Sequence, residues 1–146
     1  MSVSLTFYGA TDEVTGSCYL LETDRSRVLL ECGMHQGPPD VERLNVAAFP
    51  FPPGDIDAVV LSHAHLDHSG LLPRLVAKGF GGPVYCTRPT RGVASLILED
   101  SGHLQEEQAR YAAKKGYSRH REPKPLYTAK DAKPDEDSET KEPEAE

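Results

Sequence analysis

The sequence feature that most constrains the fold is a histidine-rich segment directly after a run of apolar residues. The run IDAVVLS, residues 56–62, is bounded by turn residues and predicts a buried strand. Ligand sites in layered α/β proteins lie at the carboxyl ends of such strands. Within six consecutive positions after this strand come four side chains that can bind a metal ion: His63, His65, Asp67 and His68. We therefore expect a ligand-binding loop at this edge of a sheet.

Metal coordination is the chemistry that these four side chains favour. A solvated polar turn explains them less well, because turns are normally built from glycine, asparagine, aspartate, serine and proline. His63 and His65 are two positions apart, so an extended backbone projects both to one side, where they can reach one ion. Asp67 and His68 project differently and can bind a second ion nearby. Mixed imidazole and carboxylate ligands favour zinc, with manganese or iron as alternatives.

Short apolar runs separated by turn residues predict the remaining strands. They lie near residues 3–8, 17–23 and 27–32, with a further strand at VYC, residues 84–86. The first three are expected to form an antiparallel meander, and the later strands alternate with helices. This order indicates a layered α/β domain.

Two helices are predicted after the histidine-rich segment. Ser69 is expected to cap the first, with Pro73 in its first turn. The second is expected to run from Pro89 to near Gly116, with Gly102 allowing a close approach at its middle. Its apolar residues fall on one stripe, which is expected to face the core: Val93, Ile97, Leu104 and Tyr111.

Length and cysteine content place these elements in one domain of a protein from a reducing compartment. The 146 residues hold no apolar run long enough to span a bilayer and no signal peptide at the start, so no membrane association is expected. Cys18, Cys32 and Cys86 lack C-x-x-C spacing and are interpreted as reduced, buried small residues. We expect a cytoplasmic protein.

Most of the net charge of −7 comes from the end of the chain. Residues 129–146 carry eight acidic and three basic residues and no apolar side chain larger than alanine apart from two prolines. Such a segment cannot bury enough surface to offset its ordering entropy. We expect one domain over residues 1–128 and a disordered acidic tail over 129–146.

Five segments together resemble the amino-terminal part of β-CASP proteins of the metallo-β-lactamase superfamily, which are zinc-dependent nucleases. The segments are TFYGATDEVTGSCYLLET, VLLECGMHQG, IDAVVLSHAHLDHSGLLPRLVAKGF, PVYCTRPT and LILEDSGHLQEEQARY. They cover about residues 3–128. The resemblance implies a partial metallo-β-lactamase domain, that is, the amino-terminal portion of a layered αββα fold.

The resemblance also implies roles for individual residues. His63 and His65 would bind one zinc ion and Asp67 and His68 the other, with Asp67 and His68 as catalytic residues and Asp67 orienting the attacking hydroxide. Glu31 stands where the family usually has aspartate. It would hold the metal ligands in place as a hydrogen-bond partner, and a solvated strand end is the less favoured alternative.

The family's remaining metal ligands and its cap do not occur in these 146 residues. His103, in a segment shared with the family, and His120, in a basic loop, are not interpreted as ligands. Each ion would therefore retain about two of the three protein ligands usual for catalytic zinc. The resemblance implies RNA phosphodiester cleavage as the reaction, and we expect this cleavage to be impaired or absent in this chain alone. We also expect an apolar surface of the sheet to be uncovered. A complementing polypeptide or a homo-oligomer would supply the rest of the site.

A basic segment follows the second helix and suggests a contact with the RNA backbone. Its residues are Arg110, Lys114, Lys115, Arg119 and Arg121. A solvated helix end explains them equally well. Two other functions remain open, namely a non-catalytic fragment that binds RNA or a partner subunit, and a hydrolase of small esters, lactones or thioesters. The sequence is also compatible with DNA as substrate and with exo- or endonucleolytic cleavage.

Overall fold

The computed structural model describes residues 1–116 and 124–134 of the chain. Its strands are β1 (Val3–Gly9), β2 (Cys18–Thr23), β3 (Arg27–Leu30), β4 (Ala58–Val60) and β5 (Val84–Tyr85). Its helices are α1 (Pro39–Glu42), α2 (Leu66–Ser69), α3 (Leu72–Ala77) and α4 (Arg88–Lys115), with 3₁₀ turns at Arg43–Val46 and Pro53–Asp55. None of these helices combines the length and the apolar character needed to cross a bilayer.

The strands form one mixed sheet in the order β1-β2-β3-β4-β5. β2 is antiparallel to both β1 and β3, and β4 and β5 run parallel to β3. The predicted meander and the α/β class are therefore confirmed. Because β3 and β4 are parallel and Leu30 pairs with Val60, both strands end at the same edge of the sheet.

One face of the sheet, the inner face, forms the core. Leu20, Leu29 and Val59 alternate with outward-pointing neighbours and are at most 2% exposed. They pack against Leu71, Leu75 and Phe80, which belong to α3 or flank it. Burial of one such leucine stabilises the fold by roughly 1.5–3 kcal/mol. This packing fixes α3 and the segment before it on the sheet.

The opposite face of the sheet, the outer face, remains open to solvent in the described part of the chain. Strand alternation brings apolar side chains from all five strands onto it, paired in register with one another. Its most exposed members are Val3 (60% exposed), Leu5 (45%), Phe7 (55%), Val60 (38%) and Tyr85 (59%). The expectation of an uncovered apolar sheet surface is confirmed.

The buried side of α4 differs from the predicted stripe. Val93, Leu104 and Tyr111 are exposed and Ile97 is half-buried, so the predicted stripe is wrong. The buried residues of α4 are instead small, or directly follow a residue of the predicted stripe. They are Thr90, Ala94, Leu98, Ser101 and Gly102. Small residues let another segment approach, and a Cβ on Gly102 would collide with the backbone at Ala129, which confirms the predicted close approach.

Helix boundaries agree with the sequence for α4 but not for the segment before it. Thr87 caps α4 by accepting from the Thr90 nitrogen, and left-handed Gly116 ends it. Ser69 is not a cap, because α2 already begins at Leu66, inside the histidine-rich segment. The buried Ser69 hydroxyl donates instead to the carbonyl oxygens of Ala64 and His65. Pro73 does lie in the first turn of α3.

The expected burial of the cysteines needs one correction. Cys32 is buried and Cys18 half-buried, but Cys86 is exposed beyond the short edge strand β5. Past residue 128, Ala129 and Ala132 are buried, and Ala132 belongs to one apolar cluster with Ala94 and Leu98 of α4. Residues 135–146 of the predicted tail lie outside the described residues, and the division into a domain and a tail stays a prediction.

Candidate metal centre

The histidine-rich segment is held in place by backbone hydrogen bonds to two other segments. The amides of Cys32 and Met34 donate to the carbonyl oxygens of His68 (2.8 Å) and Leu66 (2.8 Å), and the amide of Ser17 donates to that of Asp67 (3.0 Å). A Cβ on Gly33 would overlap the Asp67 carbonyl group, so only glycine permits this approach. The backbone that carries Asp67 and His68 is therefore fixed on both sides.

Glu31 lies at the centre of the polar contacts beneath the motif. It directly follows β3, has a left-handed backbone (φ 64°) and is 7% exposed. Its Oε1 accepts from the Ser62 amide (2.6 Å), and its Oε2 accepts from the Ser62 hydroxyl (3.0 Å) and faces Nδ1 of His68 (2.5 Å). A left-handed non-glycine residue costs about 1–3 kcal/mol, which these contacts help to offset.

The four side chains of the motif come together above Glu31. The ring centre of His63 lies 4.9 Å from that of His65 and 4.1 Å from that of His68. Nε2 of His68 lies 3.3 Å from Oδ2 of Asp67. The rings of His63, His65 and His68 and the carboxylate of Asp67 are therefore neighbours, as the motif predicts, while their roles as metal ligands stay predictions. The division of the four ligands between two ions stays a prediction.

This arrangement fits a cation. When a neutral His68 donates a hydrogen bond from Nδ1–H to Glu31, its Nε2 is unprotonated. A carboxylate oxygen of Asp67 lies beside this Nε2. Two acceptors at this distance repel each other unless a proton or a metal ion lies between them. Imidazole nitrogen and carboxylate oxygen are ligands that zinc accepts. His63, His65, Asp67 and His68 would hold the metal.

Glu31 is close enough to be a ligand itself, yet its contacts assign it another role. One potential ligand atom from each of Glu31, His63 and His68 lies within 4.8 Å of the others. Both Glu31 oxygens, however, already take part in hydrogen bonds to Ser62 and His68. We therefore treat Glu31 as the anchor of the ligands. Cys32 does not belong to this group of neighbouring ligand atoms, and burial raises the pKa of its thiol well above the usual value.

The other candidate residues lie apart from this cluster or outside the described residues. His103 is exposed on α4, where its ring lies between Glu99 and Glu106. Arg110, Lys114 and Lys115 are exposed on the last turns of α4. Residues 117–123, which include His120, Arg119 and Arg121, lie outside the described residues. Ser62 was missed by sequence reasoning, and its only signal was its position between the strand and the first histidine.

Comparison with known proteins agrees with this geometry. The sequence pattern of the metallo-beta-lactamase superfamily matches residues 11–142. The chain is 50% identical over 100 residues to "Ribonuclease TTHA0252" of Thermus thermophilus, covering 68% of this chain and 23% of that protein. It is 38% identical over 108 residues to "Transcription termination factor FttA" of Methanocaldococcus jannaschii, covering 74% and 17%. The chain thus spans less than a quarter of either relative.

A solved structure supports the fold alone. It is a protein of unknown function from Enterococcus faecalis, 18% identical, with a TM-score of 0.50 over 69% of this chain and 29% of that one. The family pattern covers nearly the whole chain and includes the complete histidine-rich motif. The chain belongs to the metallo-β-lactamase superfamily, in its β-CASP branch.

Proposed function

We propose that this chain is the metal-binding portion of a zinc-dependent hydrolase that cleaves RNA phosphodiester bonds. The observation that carries the proposal is the convergence of His63, His65, Asp67 and His68 above the Glu31 anchor. The relative named a ribonuclease supports RNA as the substrate. His63 and His65 would bind one ion, and Asp67 and His68 a second.

The residues of this chain would contribute binding and orientation to the reaction. Bound zinc supplies Lewis-acid activation of water and neutralises charge that develops on the phosphate. Asp67 would bind metal through one oxygen and orient the attacking water by accepting its hydrogen bond through the other. Glu31 would accept a hydrogen bond from Nδ1–H of His68 and so keep Nε2 of that ring directed toward the metal.

Basic residues at the end of α4 would hold the RNA backbone. Arg110, Lys114 and Lys115 are exposed there and can contact phosphates, with Arg119 and Arg121 following in the sequence. The favourable interaction of cations with a helix carboxyl terminus accounts for the same residues. Neutralising Arg110 and Lys114 should weaken RNA binding at low salt more than at high salt if the phosphate contact exists.

Residues that this sequence does not contain, on the same or on another polypeptide, would complete the site. The relatives are more than four times as long as the segment they share with this chain, and catalytic zinc normally has three protein ligands. The outer face of the sheet offers exposed apolar surface, and β1 is an edge strand among the described residues, where the missing portion or a second copy would pair. The same exposed face favours a second candidate function, a non-catalytic subunit that binds a partner.

The test measures zinc-dependent hydrolysis of a labelled single-stranded RNA. This chain alone should cleave slowly or not at all. Addition of the part of the Thermus thermophilus ribonuclease that follows the matched segment should raise the rate, and His68→Ala should abolish the gain. His103→Ala, which changes an exposed histidine on α4, is the matched control and should keep it.

Three outcomes would overturn the proposal. Robust cleavage by the unmixed chain that survives His68→Ala would remove the motif from catalysis. Complex formation without any zinc-dependent cleavage would favour the non-catalytic subunit. Hydrolysis of thioesters or lactones in place of RNA by the completed site would favour a small-molecule hydrolase.

A further inference from the structure

Ser62 lies between the Glu31 carboxylate and the first histidine of the motif. It directly follows Leu61, whose amide donates to the Tyr85 carbonyl and continues the pairing of β4 with β5. Its hydroxyl lies 3.0 Å from Oε2 of Glu31 and 2.7 Å from Nδ1 of His63. Its amide donates to Oε1 of Glu31 at 2.6 Å, which fixes the backbone independently of the side chain.

The direction of these hydrogen bonds follows from the number of protons. A carboxylate only accepts, so the single hydroxyl proton of Ser62 must point to Glu31. The hydroxyl oxygen then faces Nδ1 of His63 with its lone pairs, and this contact is a hydrogen bond only if Nδ1 carries the proton. The opposite orientation would leave the oxygens of Ser62 and Glu31 facing each other without a proton.

We propose that Ser62 is a positioning residue whose hydroxyl group links the Glu31 carboxylate to the ring of His63. We call these two hydrogen bonds of the hydroxyl group the relay. One carboxylate then sets the tautomer of two histidines, directly at His68 and through the serine hydroxyl at His63. In both rings Nδ1 carries the proton and Nε2 keeps its lone pair. The chain thereby presents two histidines in the same tautomer before any metal arrives.

The relay has a consequence for metal affinity that rests on the proposed metal site. A histidine in the wrong tautomer must move a proton before Nε2 can bind an ion. Loss of a hydrogen-bond partner behind a ligand typically weakens metal binding by about 10- to 100-fold. Because Ser62 acts on only one ring, its removal should cost about tenfold, the lower end of that range.

The first test measures the tautomers by long-range ¹H–¹⁵N NMR of the histidine rings in the full chain without metal. The measurement is made at about pH 8.5, well above the ordinary histidine pKa of ~6.5. His63 should be the Nδ1–H tautomer, and Ser62→Ala should shift it toward Nε2–H while His68 stays Nδ1–H. Ser62→Thr keeps a hydroxyl and should keep the original tautomer. His63 as Nε2–H in the unchanged chain, or no change in Ser62→Ala, would overturn the relay.

The second test measures zinc affinity by competition with a chelating dye. Ser62→Ala should bind about tenfold more weakly and Ser62→Thr nearly as well as the unchanged chain. Ser95→Ala is the matched control, because that hydroxyl donates to the Arg91 carbonyl on α4. Equal affinity in Ser62→Ala would contradict the relay's role in metal binding. No zinc binding by any variant would refute the metal site, whereas the tautomers would still decide the relay itself.

Discussion

The inner and outer faces of the sheet are built from the same strands but reach different states in this chain. On the inner face Leu29 is fully buried beneath α3, whereas on the outer face Leu5 is 45% exposed. Both faces are apolar, although an antiparallel sheet with one wet face usually carries polar residues there. The difference indicates that the outer face is shaped for another layer, while the inner face already supports the motif.

The largest effect should come from opening the inner face. Leu29→Ala should lower the free energy of unfolding by about 2–5 kcal/mol, because it leaves a cavity in the core. Leu5→Ala removes the same atoms from the outer face and should stay within about 0.5 kcal/mol. Urea unfolding followed by circular dichroism measures both. Similar losses would mean that the two faces are equally covered.

A smaller loss is expected where the inner side meets the motif. Gly33→Ala places a Cβ against the Asp67 carbonyl group and should cost about 1–3 kcal/mol, with weaker zinc binding because the ligand backbone must shift. Gly81→Ala is the matched control, since its Cβ would meet no atom within 4 Å. Unchanged stability and zinc affinity in Gly33→Ala would show that the close backbone contact between Gly33 and Asp67 does not hold the site in place.

Polar substitutions on the outer face should change association more than stability. The triple change Val3→Thr, Leu5→Thr and Phe7→Thr places β-branched residues with good strand propensity in β1 and removes exposed apolar surface. It should reduce self-association in analytical ultracentrifugation and reduce the RNA cleavage recovered with a completing polypeptide. Zinc affinity should not change. If recovery is unaffected, the outer face does not receive the completing segment.

The smallest expected effect is a difference in reactivity among the three cysteine thiols, and it leaves the stability of the fold unchanged. Cys86 should react with a thiol reagent at neutral pH faster than the other two cysteines, because it is exposed, although partial burial also raises the pKa of its thiol. Cys18 and Cys32 should react slowly, because burial raises the pKa of Cys18 to about 12 and that of Cys32 well above its usual value. Mass spectrometry counts the labels, and Cys86→Ser should remove the rapid one. Three rapid labels would indicate that the inner side opens readily.

The sequence predicted features that depend on local pattern. Short apolar runs bounded by turn residues predicted β1 to β5, and the compact motif predicted the cluster of His63, His65, Asp67 and His68. The stripe of α4 was wrong because large apolar residues were taken as the buried side. The buried side holds Ala94, Ser101 and Gly102, which leave room for a segment from about 30 residues further along the chain.

The features that the sequence did not reveal depend on long-range contacts. Serine is a favoured helix-cap residue, so Ser69 was predicted to cap a helix. The helix instead starts at Leu66, in the segment whose carbonyl oxygens accept hydrogen bonds from the amides of Cys32 and Met34. Ser62 carries no pattern of its own. Its importance appears only when Glu31, 31 positions away, reaches it from the neighbouring strand.

Zinc titration tests the metal site most directly. The unchanged chain should bind zinc measurably, though weakly for a site with an incomplete ligand set, and binding should weaken as the pH falls because ligation requires neutral imidazoles. Isothermal calorimetry should show that His63→Ala combined with His65→Ala loses this binding, whereas His103→Ala keeps it. Equal zinc uptake by the double variant and the unchanged chain would contradict the assignment of this cluster as the metal centre.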